Sequence, residues 1–352
     1  MPDAAMPHLA DRRSDRLAAG RIDRPARHED IVRLPDDWKP IFLVFVDTEE
    51  EFDWSALQSR DNVSTTHVPT IAGAQERLAA GGAIPLYLVD WPIAEDDRAR
   101  ELLGGFARTG SADIGLHLHP WVNPPFVEDA HGYNSFAGNL PAALERQKVE
   151  ALRDFVAERF GLTPTTYRAG RYGVGPNTAA ILERAGLRVD CSARSSFSYR
   201  AQGGPDFSGH GNTPWWCGPR RQLIEIPLGV AHLGILRHRT PGWLMRADDG
   251  ALRGLASRLG VWSRVPLTPE GTSAAEAVRA IDHLVRIDTP VLSFSFHSPS
   301  LQPGHTPYVR DEAELRRFWQ WWDAVFDRLA FHGIAGGRVA DVVEAADRAR
   351  DH

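Results

Sequence analysis

Cysteine is scarce in this sequence. Cys191 and Cys217 are the two present, and they form no C-x-x-C pair. Neither a thiolate metal pair nor a disulfide framework is supported, and a reducing, cytoplasmic setting is expected. Long apolar runs are also missing, so no membrane span is expected. The net charge of −6 removes the broad basic face that nucleic-acid binding needs. The N-terminal stretch lacks the apolar core of a signal peptide. Its mixture of Arg, Asp, Ala and Pro reads as a disordered leader over residues 1–38, with the folded domain over 39–348.

What is present is ample apolar material, 43% of 352 residues, enough for one large core. It is arranged as short strands separated by helices. Strands are predicted at 41–46, 83–90, 111–120, 165–170, 187–192, 223–230 and 290–300, with a short one near 333–336. Between them lie helical stretches that include 140–160, 249–259, 274–287 and 311–332, and a last helix from Val339. This alternation is the grammar of a parallel α/β fold, and one barrel-like domain is the economical reading. Residues 195–222, with Trp215-Trp216, are expected to be a long loop. There the two tryptophans suit either sugar stacking or packing.

The chain is organised around IFLVFVDTEEEFDW, residues 41–54. An apolar strand runs straight into acids. Residues two apart share a strand face, so Asp47 and Glu49 point the same way and Glu50 points away if the strand continues. Glu51 and Asp53 share the inward parity but lie past the expected strand end, as reserves for metal or substrate contact. By itself the cluster also fits a solvated loop. In SADIGLHLHP the alternation places His117 and His119 on one face. Arg168, Asp190 and His297 fall at the ends of later strands. Sites in parallel α/β folds lie at such ends, and imidazole with carboxylate suits zinc or a related divalent ion.

The motifs VDTEEEFDW, GLHLHPW, YRAGRYG, VDCSARSSFSY and FSFHSPS occur in the order of those of the polysaccharide deacetylases, the NodB-homology family. The chain resembles that family from Ile41 to Arg338, and most closely a WalW-like branch linked to surface polysaccharides. The resemblance implies a deformed (β/α) barrel of seven or eight strands and metal-dependent removal of an N-acetyl group from an amino sugar. It implies Asp47 as general base, held by Arg168, with Arg171 a rival for the arginine role. Asp190 would orient His297, the general acid. A divalent ion, Zn²⁺ with Co²⁺, Ni²⁺ or Mn²⁺ as alternatives, would be held by Glu49, His117 and His119. Tyr172, Arg171, Trp121 and Trp91 would contact the carbohydrate. The family pattern has two metal histidines four apart. Here Trp121 stands four after His117, and His119, two after it on the same strand face, could supply the second imidazole instead. Two other readings remain: a non-catalytic glycan- or partner-binding barrel, and an amidohydrolase for a small amide or cyclic ureide.

Overall fold

The computed structural model describes residues 20–234 and 262–350. The expected helix at 249–259 and the leader residues 1–19 lie outside them. Eight parallel strands build the main sheet. In chain order they are β1 (Ile41–Thr48), β2 (Leu86–Val89), β3 (Asp113–Leu118), β4 (Thr166–Ala169), β5 (Val189–Asp190), β7 (Leu223–Glu225), β10 (Val291–His297) and β11 (Ala335–Gly336). The spatial order is β10-β1-β2-β3-β4-β5-β7-β6, with β11 beside β1. The last strand of that path, β6 (Trp215–Cys217), runs antiparallel to β7.

A hairpin of β8 (Val230–Leu233) and β9 (Ser263–Pro266) fills the gap between the ends of the sheet. Gly229 N donates to Ser293 O at 3.2 Å, and Ser295 N donates to Leu267 O at 3.1 Å. These single bonds, not a continuous ladder, draw the curled sheet into a deformed (β/α) barrel.

Strand alternation sorts the core. Phe42, Val44 and Val46 join Leu116, Tyr167, Phe294 and Phe296 in the layer beneath the helices. Leu43 and Phe45 join Leu88, Val189, Ile224 and Val291 inside the barrel. The inward series 43, 45 continues to Asp47, so a buried apolar column ends in an acid at the strand C-terminus. The helices that cover the sheet include α1 (Ile71–Ala80), α2 (Trp91–Glu95), α3 (Asp97–Thr109), α4 (Ala142–Phe160) and α5 (Thr178–Arg184). Those that follow are α6 (Ala274–Arg286), α7 (Glu312–Phe331) and α8 (Val339–Arg350). On α7, Phe318, Trp322, Val325 and Leu329 are buried at helical spacing.

Two expectations need correction. Residues 20–38 are not a free leader. Ile22 is fully buried, Val32 N donates to Pro214 O at 2.9 Å, and Ile31 bridges to Trp215. Residues 195–222 are not all loop either, because β6 runs through them. Trp215 and Trp216 are packing anchors, exposed by 2% and 6%.

Candidate active site

A cavity of about 320 Å³ opens at the C-terminal ends of the strands. Of the predicted residues, Asp47, Glu49, His117, His119, Trp121, Arg171, Tyr172 and His297 line it. The ladder explains the convergence. Asp47 is in register with His297 on β10, and His117 with Arg168 on β4.

Glu49 Oε2 lies 3.2 Å from His117 Nε2 and 3.3 Å from His119 Nε2. Two ligands each about 2.1 Å from one ion at a tetrahedral angle stand about 3.4 Å apart. The three side chains are buried, and Glu49 Oε1 has no hydrogen-bond partner. A carboxylate with an orphaned buried oxygen beside two imidazoles is a donor set that fits a divalent ion. Burial opposes the Glu49 charge, but His297, His117 and His119 outweigh it and hold the carboxyl well below its usual range.

His119 is braced from behind. Its Nδ1 donates to Glu50 Oε2 at 2.7 Å, and Trp121 Nε1 donates to Glu50 Oε1 at 2.6 Å. A carboxylate on the far nitrogen fixes the tautomer that leaves Nε2 free as a ligand. The Trp121 ring stacks on His119 at 4.2 Å. The residue four after His117 therefore braces the candidate ligand His119. Glu50 does point off the Asp47 face, but it is fully buried and lies against His119 rather than in solvent. Strand β1 ends at Thr48, so Glu49 and Glu50 both lie just past it and are placed by their contacts with His117 and His119. Glu51 binds His67 Nδ1 at 2.9 Å and Asp53 is exposed on Ser55, so neither reaches the Glu49 site.

Arg168 Nη1 donates to Asp47 Oδ1, and its Nε donates to Cys191 O at 2.9 Å. The rival, Arg171, turns instead to Ser135 and Gln202. His297 Nε2 lies 3.7 Å from Asp47 Oδ2. Its Nδ1 donates to Glu270 Oε2 at 2.6 Å. Burial works against a charged imidazole, yet Glu270, Glu49 and Asp47 raise His297 to about 9.

The carboxylate on His297 is thus Glu270, not Asp190. Asp190 is buried on β5 facing Glu225 in the ladder, accepts from Ser192 Oγ at 2.6 Å, and does not line the cavity. Burial pushes both Asp190 and Glu225 up, as expected of neighbouring carboxyls sharing a proton. Trp91 is also displaced from its predicted role. Asp90 caps α2 by accepting from Ile93 N at 2.9 Å, and the turn sends Trp91 outward to stack on Phe155 at 4.1 Å.

Three features escaped sequence reasoning. Glu270 comes from the irregular segment after β9. Trp54 sets its ring edge-on to His297 at 4.8 Å and meets Tyr308 at 5.6 Å. Arg194 joins the cavity wall from the loop after β5. The line Glu51–His67–Ser298, with His67 Nε2 2.7 Å from Ser298 Oγ, has the order of a nucleophilic triad. Ser298 and His67 are fully enclosed, so the line ties the β1 and β10 loops together and offers no nucleophile.

No protein-family model and no curated protein matches the sequence. Solved structures do match in fold. A protein assigned as a polysaccharide deacetylase from Mycobacterium smegmatis aligns over 93% of this chain and 96% of its own, at TM-score 0.52 and 14% identity. The fold is the polysaccharide deacetylase barrel. The Puue allantoinase shares that deacetylase-type barrel to the same degree, at TM-score 0.52 and 14% identity, over 88% of this chain and 91% of its own.

Proposed function

We propose that this deacetylase-fold chain is a metal-dependent hydrolase that removes the N-acetyl group of an amino sugar. The observation that carries the reading is the meeting of three units in one cavity: Glu49–His117–His119, Asp47–Arg168 and His297–Glu270. Amide hydrolysis needs a polarised carbonyl, a base for water and an acid for the leaving amine.

Glu49, His117 and His119 would hold the ion, zinc by donor type. A bound divalent ion supplies a Lewis acid that acidifies water and polarises a carbonyl. Asp47 takes the proton from water at Oδ2, because Arg168 occupies Oδ1. His297, charged at neutral pH by its carboxylate neighbours, gives the Nε2 proton to the departing amine as the C–N bond breaks. The Tyr172 backbone N–H, in the left-handed pair Arg171 and Tyr172 at φ 53° and 60°, is the chain's own candidate oxyanion donor. Phe52, Trp54 and Tyr308 give an apolar rim suited to a sugar face.

A second reading is hydrolysis of a small amide or cyclic ureide. The cavity volume of about 320 Å³ favours it, being near the lower end for small-molecule pockets. The test is a screen of zinc-loaded protein against N-acetylated amino sugars, chitooligosaccharides and allantoin. Acetate release by wild type that His117→Ala abolishes supports the deacetylase. Turnover of the ureide alone supports the second reading. No turnover by wild type carrying one bound ion contradicts both.

A further inference from the structure

The cavity has two chemically different sides. Asp47, Glu49, His117, His119 and His297 come from the C-terminal ends of β1, β3 and β10 and the residues just after them. Arg171, Tyr172, Arg194 and Tyr199 come from the loops after β4 and β5. The second side carries two guanidinium groups and no carboxylate.

Arg194 is the more telling. Its guanidinium carbon stands 4.0 Å from the Phe197 ring centroid and 5.3 Å from that of Tyr172. Its Nη1 donates to Tyr199 Oη at 3.3 Å. Among the described residues it has no ion-pair partner. Arg171 spends its donors on neutral acceptors: Ser135 Oγ, Gly132 O at 3.4 Å and Gln202 Oε1 at 2.5 Å. It lies over the Phe136 ring at 4.3 Å. The contrast is Arg168, which does not line the cavity and is fully buried and matched by Asp47. Arg171 and Arg194 are both half-buried, and drawing a guanidinium even partly out of water costs free energy unless an anion or a full set of acceptors accompanies it. The aromatic faces offset part of that cost and hold the planar fork in one orientation. What they leave unmet is the negative charge.

We infer that the ligand brings it: the substrate bears an anionic oxyacid group, a carboxylate or a phosphate, that docks on Arg194 beside Arg171. The fork of a guanidinium matches either group through paired N–H···O bonds. That the acylamino end of the same molecule faces Asp47 and His297 rests on the deacetylase reading; the anion site itself does not. A substrate so held is fixed at two ends, and a neutral analogue leaves Arg194 unpaired.

The test uses the full chain loaded with zinc and three sugars: N-acetylmuramic acid, N-acetylglucosamine 6-phosphate and neutral N-acetylglucosamine. Calorimetric binding and acetate release are measured in parallel. One anionic sugar is expected to bind at least about tenfold more tightly than the neutral one, the scale of one charged hydrogen-bonded contact. Which of the two is preferred names the anion. Arg194→Gln is expected to erase the preference, and Arg194→Lys, with charge but no fork, to keep part of it. If wild type binds all three equally, or none, the inference falls, and this comparison stands even where a variant fails to fold. A preference that persists in folded Arg194→Gln also overturns it. Anion-selective binding lost in Arg194→Gln, with no acetate released from any sugar, keeps the inference and overturns the deacetylase reading.

Discussion

His297 shows how one side chain is tuned by what surrounds it. Its Nδ1 is held by Glu270 and its Nε2 faces Asp47. The raised value of about 9 keeps the imidazole protonated through neutral pH, as a general acid requires. The rate should therefore fall on the alkaline side as pH passes about 9. In Glu270→Gln the main raising charge is gone, so the alkaline limb should move down toward the ordinary histidine value of about 6.5, with kcat near pH 8 lower by about 10- to 100-fold. A rate–pH profile of both proteins checks this, and an unmoved limb would deny Glu270 its role. Arg168 is tuned in the same sense: Asp47 keeps it charged although burial opposes it. Arg168→Met strands a buried carboxylate and should cost about 3–5 kcal/mol in urea unfolding. Adding Asp47→Leu should recover most of that loss. Strand parity made Asp47, Glu49, His117, His119 and His297 legible in the sequence. It did not reveal that Glu50, off the Asp47 face, is buried against His119. It was silent on Glu270, which no strand or motif delivers, and on Arg194, which has no ion-pair partner among the described residues.

Elements bring these residues together through close backbone approach. Gly170 follows β4 where that strand passes His119. A Cβ there would lie 2.2 Å from His119 Cδ2 and 2.7 Å from Leu118 O. Gly170→Ala must therefore push His119 off Glu49. We expect metal affinity to drop by about 10- to 100-fold, the range seen when support of a ligand is lost. Metal-binding titration reads this, and wild-type affinity in the variant would show that the strand end can yield. The parallel strands were legible because each is a short apolar run bounded by turn residues. Strand β6 was not, because three residues inside a Gly- and Pro-rich stretch carry no period. The β8–β9 hairpin was hidden for a related reason: its pairing joins segments far apart in sequence, and single bonds at Gly229 and Leu267 close the barrel through it.

At the scale of the whole molecule, the fold is a curled sheet whose one mouth collects every ionisable group the proposed chemistry needs. Residues 20–38 belong to that body, since Gly218 N donates to Gly20 O at 2.8 Å and Trp38 Nε1 to Pro290 O at 3.1 Å. Their polar composition concealed this, because a few buried residues such as Ile22 anchor a segment that is otherwise wet. No described helix is long and apolar enough to cross a membrane. The barrel brings Glu49, His117 and His119 together at the ends of β1 and β3, so an ion bound there should stabilise the entire fold. At a free concentration of 100 times its Kd the gain is about 2.7 kcal/mol. The most direct test of the account is the stoichiometry and affinity of zinc binding to metal-stripped protein, in wild type and in His119→Ala. The account predicts one ion per chain, a matching rise in thermal stability, and loss of both in His119→Ala. Wild type that takes up no ion, or His119→Ala that binds as tightly as wild type, would contradict it.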